Sequence, residues 1–284
     1  MLSRRTFTSL AASTLAAHAL HAAPPSAAPQ LSVMMWTLKD RGTFDENLDR
    51  VALAGYHHIE LVDEWKHWSE AETTRLLARM QQLGITVDAT AGLTLGFANP
   101  ATADAFLAEL RTLIPIAQRL RCPQVILLSG KRLDTAIPGA QHQASIDTLK
   151  RAADLLHTAN LVGVIEPIDR LENPTIYLDG VTEAFDITQA VGSPSLKVLY
   201  DLYHEQRGLG NLTEKLQKHI ADVGLIHIAD VPGRHQPGTG EINFPNIYKT
   251  LGQLGYNGIL AMEFYPTGDI VETLRHARME VAAA

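Results

Sequence analysis

Eight short runs rich in apolar residues recur along this chain every 26 to 39 residues, and each is followed by a stretch with helical periodicity. They fall near 31–36, 57–62, 85–90, 124–129, 162–166, 196–201, 223–228 and 258–263. Runs that are apolar throughout, rather than alternating with polar residues, are the pattern of strands covered on both faces. The spacing accommodates a strand, a helix and two short loops, and an unbroken alternation of such units implies a parallel sheet. Eight units without a break in composition fit one domain. The expected fold class is therefore α/β, a single (β/α)8 TIM barrel.

The intervening segments carry helix punctuation. A helix over 43–54 places Phe44, Leu48, Val51 and Ala52 on one face and stops at Gly55. Ser69, with Glu72 three residues on, reads as a capping box for a helix over 70–83 that ends at Gly84. Helices over 102–120, 141–160, 181–191, 213–220, 244–254 and 269–281 complete an outer ring.

The first thirty residues stand apart from this pattern. Ser3-Arg4-Arg5-Thr6-Phe7 precedes a small-residue apolar run from Leu10 to Ala23 and a Pro-rich linker, with no acidic residue before Asp40. This layout is that of a cleavable export signal, and the paired arginines suggest the twin-arginine type and a periplasmic product. The expected division is thus 1–30 signal peptide and linker, 31–284 barrel. The leader carries two arginines and no acid, so its removal takes the formal net charge from −7 to −9. Such a chain is a poor match for nucleic acid or an anionic membrane. The apolar run is too short to span a bilayer, so no membrane association is expected after signal removal. A homo-oligomer is left open. Cys122, the only cysteine, has no intramolecular partner and reads as a small buried side chain.

Four of the strand runs end in a polar residue of metal-ligand type: Glu166, Asp201, His227 and Glu263. If Val164, Leu199 and Ala261 point into the barrel, the two-residue period sends Glu166, Asp201 and Glu263 inward too. Three carboxylates in one mouth repel each other unless a cation neutralises them, and an imidazole at the same depth completes a donor set. Oxygen donors with one imidazole favour Mg²⁺ or Mn²⁺, with Co²⁺ also compatible. The loop after strand seven, Asp230 to Asn243, is polar and glycine-rich, and its Arg234 reads as an anchor for a substrate oxygen or carboxylate. His204, three residues past Asp201, reads as a loop residue that touches substrate. Glu172 reads as a solvated loop acid. Lys131 and Arg207 add cations near the mouth and favour a short keto acid, whereas Trp36, Trp65 and Trp68 favour stacking on a sugar or plain rim packing.

The segments I-E-P-I-D at 165–169, Y-D-L-Y-H-E-Q-R at 200–207, H-I-A-D-V-P-G-R at 227–234, P-G-T-G-E-I-N at 237–243 and M-E-F at 262–264 resemble the hydroxypyruvate isomerase branch of the xylose isomerase-like barrels. The resemblance is close in the C-terminal half and one of layout in the N-terminal half. It implies Glu166 and Glu263 as catalytic residues that also bind metal, Asp201 and His227 as the remaining ligands, and His204, Arg234 and Glu172 as substrate contacts. It also implies a small hydroxy-carbonyl substrate isomerised through an enediolate, hydroxypyruvate to tartronate semialdehyde first, with ketose 3-epimerisation or another sugar isomerisation as the alternative. The loops Val62–Trp68 and Ala91–Phe97 depart from the family pattern and leave the substrate open. Two rivals of other classes are a phosphodiester-cleaving barrel, disfavoured by the acidic charge, and an exported sugar- or acid-binding protein without turnover.

Overall fold

The structure, a computed structural model, describes residues 29–134 and 137–283. Most of the expected leader, including Arg4 and Arg5, lies outside the described residues. Eight parallel strands close into a barrel in sequence order, with β8 pairing back to β1. They are β1 (Gln30–Met34), β2 (His58–Leu61), β3 (Thr86–Thr90), β4 (Gln124–Leu128), β5 (Val162–Glu166), β6 (Leu196–Asp201), β7 (Val223–Ile228) and β8 (Ile259–Met262). The helices α1 (Phe44–Leu53), α2 (Glu70–Leu83), α3 (Ala103–Leu120), α4 (Ala140–Thr158), α5 (Val181–Val191), α7 (Leu212–His219), α8 (Phe244–Gln253) and α9 (Ile270–Ala282) occupy the expected places.

Three local features differ from the sequence reading. The apolar run at 31–36 ends as a strand at Met34 and continues as a 3-10 helix over Met35–Arg41, begun by a bond from Thr37 Oγ1 to Met34 O. The reciprocal capping box belongs to Thr43 and Glu46 of α1, whereas Ser69 accepts from Glu72 N without the return bond. A short helix, α6 (Leu202–Gly208), follows β6 directly, so His204 is a helical and not a loop residue.

The barrel interior is filled by Met34, Ala89, Ile126, Val164, Leu199, Leu225, Ile259 and Ala261. A second apolar layer lies between strands and helices, with Ile59, Leu127, Ile165, Val198, Ile226 and Leu260 facing outward. Removing most of a buried side chain such as Leu199 costs about 2–5 kcal/mol, because the cavity left behind collapses only in part. The inner layer also fixes the site, since one pleat beyond Val164, Leu199, Leu225 and Ala261 stand Glu166, Asp201, His227 and Glu263. Asp201 pairs in register with His227, and His227 with Ala261.

Two bulges adjust this lattice. One makes Asp88 the extra residue of β3 opposite Ile59 and Glu60, and the other makes Gly224 the extra residue of β7 opposite Val198 and Leu199. A Cβ at Gly224 would sit 2.8 Å from the Lys197 Cβ and 2.9 Å from the Val164 Cγ1, so only glycine fits there.

Candidate metal centre and its surroundings

Glu166, Asp201, His227 and Glu263 are all buried, and one ligand atom from each lies within 4.8 Å of the others. His227 Nδ1 is 2.8 Å from Glu263 Oε2, 3.5 Å from Glu166 Oε1 and 4.0 Å from Asp201 Oδ2. The first pair is close but not aligned as a hydrogen bond; Nδ1 has no hydrogen-bond partner among the described residues, and Oε2 has the ion pair with Arg234 Nη2 at 2.7 Å. Two buried polar atoms that converge without bonding each other are what a shared cation would satisfy. Three carboxylates and an imidazole therefore fit a hard or borderline divalent ion.

The other atoms of these side chains are held in place. His227 Nε2 donates to Glu60 Oε2 at 2.9 Å, which leaves the Nδ1 lone pair for the cluster centre. Asp201 caps α6 by accepting from Tyr203 N at 2.7 Å and His204 N at 3.1 Å through Oδ1, and this turns Oδ2 toward the site. Trp36 Nε1 donates to Glu263 Oε1 at 3.2 Å. Burial works to raise Glu263, but Arg234 and His227 outweigh it and hold the carboxyl well below the ordinary range. His227 moves the other way: burial lowers it, and Glu263 and Glu60 more than reverse that, so the imidazole holds its proton far more tightly than usual. A cation would take the place of that proton.

Arg234 adopts a left-handed φ of 56°. Its Nη2 lies 2.7 Å from Glu263 Oε2 and 3.4 Å from Asp201 Oδ2. The guanidinium lies over the Trp36 ring at 5.4 Å and the Tyr203 ring at 5.0 Å. The loop that carries it is tied by Asp230, whose carboxylate accepts from Val231 N, Gly240 N and Ile242 N at 2.9, 2.8 and 3.1 Å. Gly240 is required in this tie, since a Cβ there would lie 1.9 Å from Val231 O. His204 reaches the site from α6, with Nδ1 2.7 Å from Asp169 Oδ2 and Nε2 3.5 Å from Asp201 Oδ2.

Glu172 is the exposed loop acid expected from its residue type, but it is not free in solvent. Its Oε2 is 2.9 Å from Arg207 Nη1 and its Oε1 is 3.3 Å from Arg234 Nη1, so it bridges the two arginines of the mouth. Lys131, by contrast, is exposed beyond β4, and among the described residues it forms no ion pair with the cluster. Trp65 donates to Thr90 Oγ1 and Trp68 packs edge-on against Phe44, which leaves Trp36 as the tryptophan in contact with the cluster.

Sequence reasoning missed Glu60, Asp88 and Asp169. Glu60 and Asp88 lie beneath the cluster, Asp88 accepts from Ser32 Oγ, and burial is the main force pushing both carboxyls up. A charged residue in the middle of the apolar run His58–Leu61 was the available signal. Asp169 accepts from Leu171 N and Glu172 N as well as pairing with His204, and its place three residues after Glu166 was the hint. The mouth is two-sided. Strands β5 to β8 end in the four ligand-type residues, while Trp36, Val62 and Ala91 cover the interior at the ends of β1 to β3, and Leu128, 37% exposed, ends β4.

With this geometry in place, comparison with known proteins is informative. Residues 48–279 match the model of the family described as xylose isomerase-like TIM barrel, and the chain belongs to that family. A human protein named "Putative hydroxypyruvate isomerase" is 34% identical over 245 residues, covering 81% of this chain and 87% of the human one. A 2-oxo-tetronate isomerase of Cupriavidus necator is 28% identical over 230 residues, covering 77% of this chain and 87% of its own. Among solved structures, an AP endonuclease of family 2 from Brucella melitensis superposes with a TM-score of 0.79 at 24% identity, over 87% of this chain and 96% of that one. This last likeness is one of fold.

Proposed function

We propose that this chain is a metal-dependent isomerase that moves a proton between adjacent carbons of a small hydroxy-carbonyl compound. The observation that carries the reading is the placement of two carboxylates, Glu166 on β5 and Glu263 after β8, on different sides of one buried donor cluster. A base on each side of a bound carbon skeleton is what removal and return of a carbon-bound proton needs. Isomerases are among the relatives that this chain matches over most of its length.

Glu166, Asp201, His227 and Glu263 would hold the ion. A divalent cation there supplies charge to offset the negative charge that builds on the substrate oxygens as the proton leaves. The rest of the chemistry is assigned to the chain itself. Glu263 is kept ionised by Arg234 and oriented by Trp36, and it is assigned as the group that accepts the proton from carbon. Glu166, 3.5 Å from His227 Nδ1, serves as the facing acid or base. His204, held by Asp169, presents Nε2 to a substrate oxygen. In the keto-acid case hydroxypyruvate loses a proton from C3 to give an enediolate, and protonation at C2, with the hydroxyl proton passing from O3 to O2, yields tartronate semialdehyde.

The named relatives favour a short keto acid. A second reading, a neutral ketose or similar polyol, is favoured by the arginines of the mouth, which are already paired with protein carboxylates. A nucleic-acid substrate is disfavoured by the acidic chain and by a single donor cluster among the described residues. We also propose export by the twin-arginine route to the periplasm, on the strength of Arg4-Arg5 and the run that follows. No helix among the described residues is long and apolar enough to cross a membrane.

Solvent exchange tests the reaction. The Mn²⁺-loaded protein in D₂O, given a panel of small hydroxy-carbonyls, is expected to place deuterium on the carbon next to the carbonyl, and Glu263→Gln is expected to abolish this. A panel that shows no enzyme-dependent exchange overturns the reading.

A further inference from the structure

Two guanidinium groups face the mouth, and each is paired with carboxylates through its terminal nitrogens. Arg207 Nη1 contacts Asp169 Oδ2 at 3.2 Å, Glu172 Oε2 and the Tyr203 hydroxyl at 2.9 Å. Arg234 contacts Glu172 through Nη1 and Glu263 and Asp201 through Nη2. Tyr203 lies between them, with Arg207 over its ring at 4.8 Å and Arg234 at 5.0 Å. Four carboxylates thus share two arginines, and three of the four are buried residues with further bonds of their own.

Glu172 differs from the other three. Its side chain is 42% exposed, it stands on the loop after β5, and its two oxygens touch Nη1 of both arginines. A substrate carboxylate entering the mouth would seek these same two donors, because a fixed guanidinium pair is the fitting partner for a planar two-oxygen anion. We propose that Glu172 sets the charge specificity of this pocket, its carboxylate filling the anion position between Arg207 and Arg234 so that uncharged hydroxy-carbonyls are preferred over keto acids. The inference rests on the isomerase reading and selects within it. An uncharged substrate leaves the Arg207–Glu172–Arg234 bridge intact and gains an acceptor for its hydroxyls. A keto acid must displace Glu172 into solvent or meet it as a like charge, which is the usual device for rejecting a wrong partner.

Hydroxypyruvate and dihydroxyacetone form a matched pair of probes, since they differ only by a carboxylate in place of a hydroxymethyl group. Steady-state rates and equilibrium binding would be measured for both compounds with the Mn²⁺-loaded parent and with Glu172→Gln. The parent is expected to favour dihydroxyacetone. Glu172→Gln is expected to improve kcat/KM for hydroxypyruvate on the order of tenfold, mainly through KM, and to weaken dihydroxyacetone. A variant that loses both substrates equally, or hydroxypyruvate alone, overturns the proposal. If the parent turns over neither compound, the isomerase reading fails on these probes, while the ratio of the two binding constants with and without Glu172 still decides the charge inference.

Discussion

Glu60 offers a quantitative test of the metal centre. It touches none of the space a substrate would enter, yet its Oε2 lies 2.9 Å from His227 Nε2, and both side chains are at most 1% exposed. A carboxylate in that position fixes the Nε2–H tautomer and makes Nδ1 a better donor. In Glu60→Gln the amide oxygen can still accept from Nε2–H, but the charge is gone. The flipped amide would instead donate to Nε2 and force the proton onto Nδ1, where it blocks the ion. Loss of such a partner weakens metal binding by about 10–100-fold, or about 1.4–2.7 kcal/mol. At a Mn²⁺ concentration about 1,000 times the parent dissociation constant, the parent gains about 4.1 kcal/mol of stability from the ion. The variant gains about 2.7 kcal/mol or less. The metal-free protein should not suffer equally, because a neutral amide removes a buried carboxyl that desolvation already pushes up. Isothermal titration with Mn²⁺ and thermal midpoints with and without the ion give both quantities. An unchanged dissociation constant, or a loss of metal-free stability as large as the loss of ion-induced stability, would refute the proposed role of Glu60.

Other consequences are equally direct. Asp201→Asn and His227→Ala should each abolish most of the Mn²⁺-induced rise in thermal midpoint, and a parent-like response in either would remove that residue from the donor set. Burial is the main force on Asp201; His204 and Arg234 oppose it, Glu263 adds to it, and the carboxyl ends raised to about 6. The folded, ion-free protein therefore binds a proton that the unfolded chain has released by that pH. Its stability should fall as pH rises from the ordinary carboxylate range through about 6, while Mn²⁺ affinity, which requires loss of that proton, should rise over the same window. Titrations from pH 5 to 7.5 with a flat dissociation constant would contradict this. Trp36→Phe keeps the ring beside Arg234 but removes the donor to Glu263 Oε1, and a kcat lowered about tenfold with KM little changed is expected. For export, replacing Arg4 and Arg5 together with lysine should leave little protein in a periplasmic extract, and undiminished yield would exclude the twin-arginine route.

Much of the scaffold was readable from local pattern. The boundaries of β5, β6 and β7 follow directly from the apolar runs, because these strands are covered on both faces and end at a charged or turn residue. The same two-residue period placed Glu166, Asp201, His227 and Glu263 at one depth. What the period could not show is pairing between distant strands. Glu60 sits on β2 and meets His227 on β7 across the barrel, a contact 167 positions apart in sequence. Asp88 is the bulge residue of β3 and meets Ser32 of β1, a contact 56 positions apart in sequence. Glu172 looks unremarkable in a loop, and its bridging role depends on where α6 and the loop after β7 deliver Arg207 and Arg234. Helix α6 itself was missed because its seven residues are too few to show a periodic face, and its start is set by the Asp201 cap.

The loop from Asp230 to Ile242 is closed on itself before any ligand arrives, with one carboxylate holding three of its backbone N–H groups and Gly240 pressed against Val231. Arg234 therefore needs no ordering step, and the entropy of fixing it has been spent in folding. On this side of the mouth a compound meets an arginine already in position, and recognition there requires no rearrangement of the loop after capture. The contribution of this loop to selectivity should accordingly depend little on solvent viscosity.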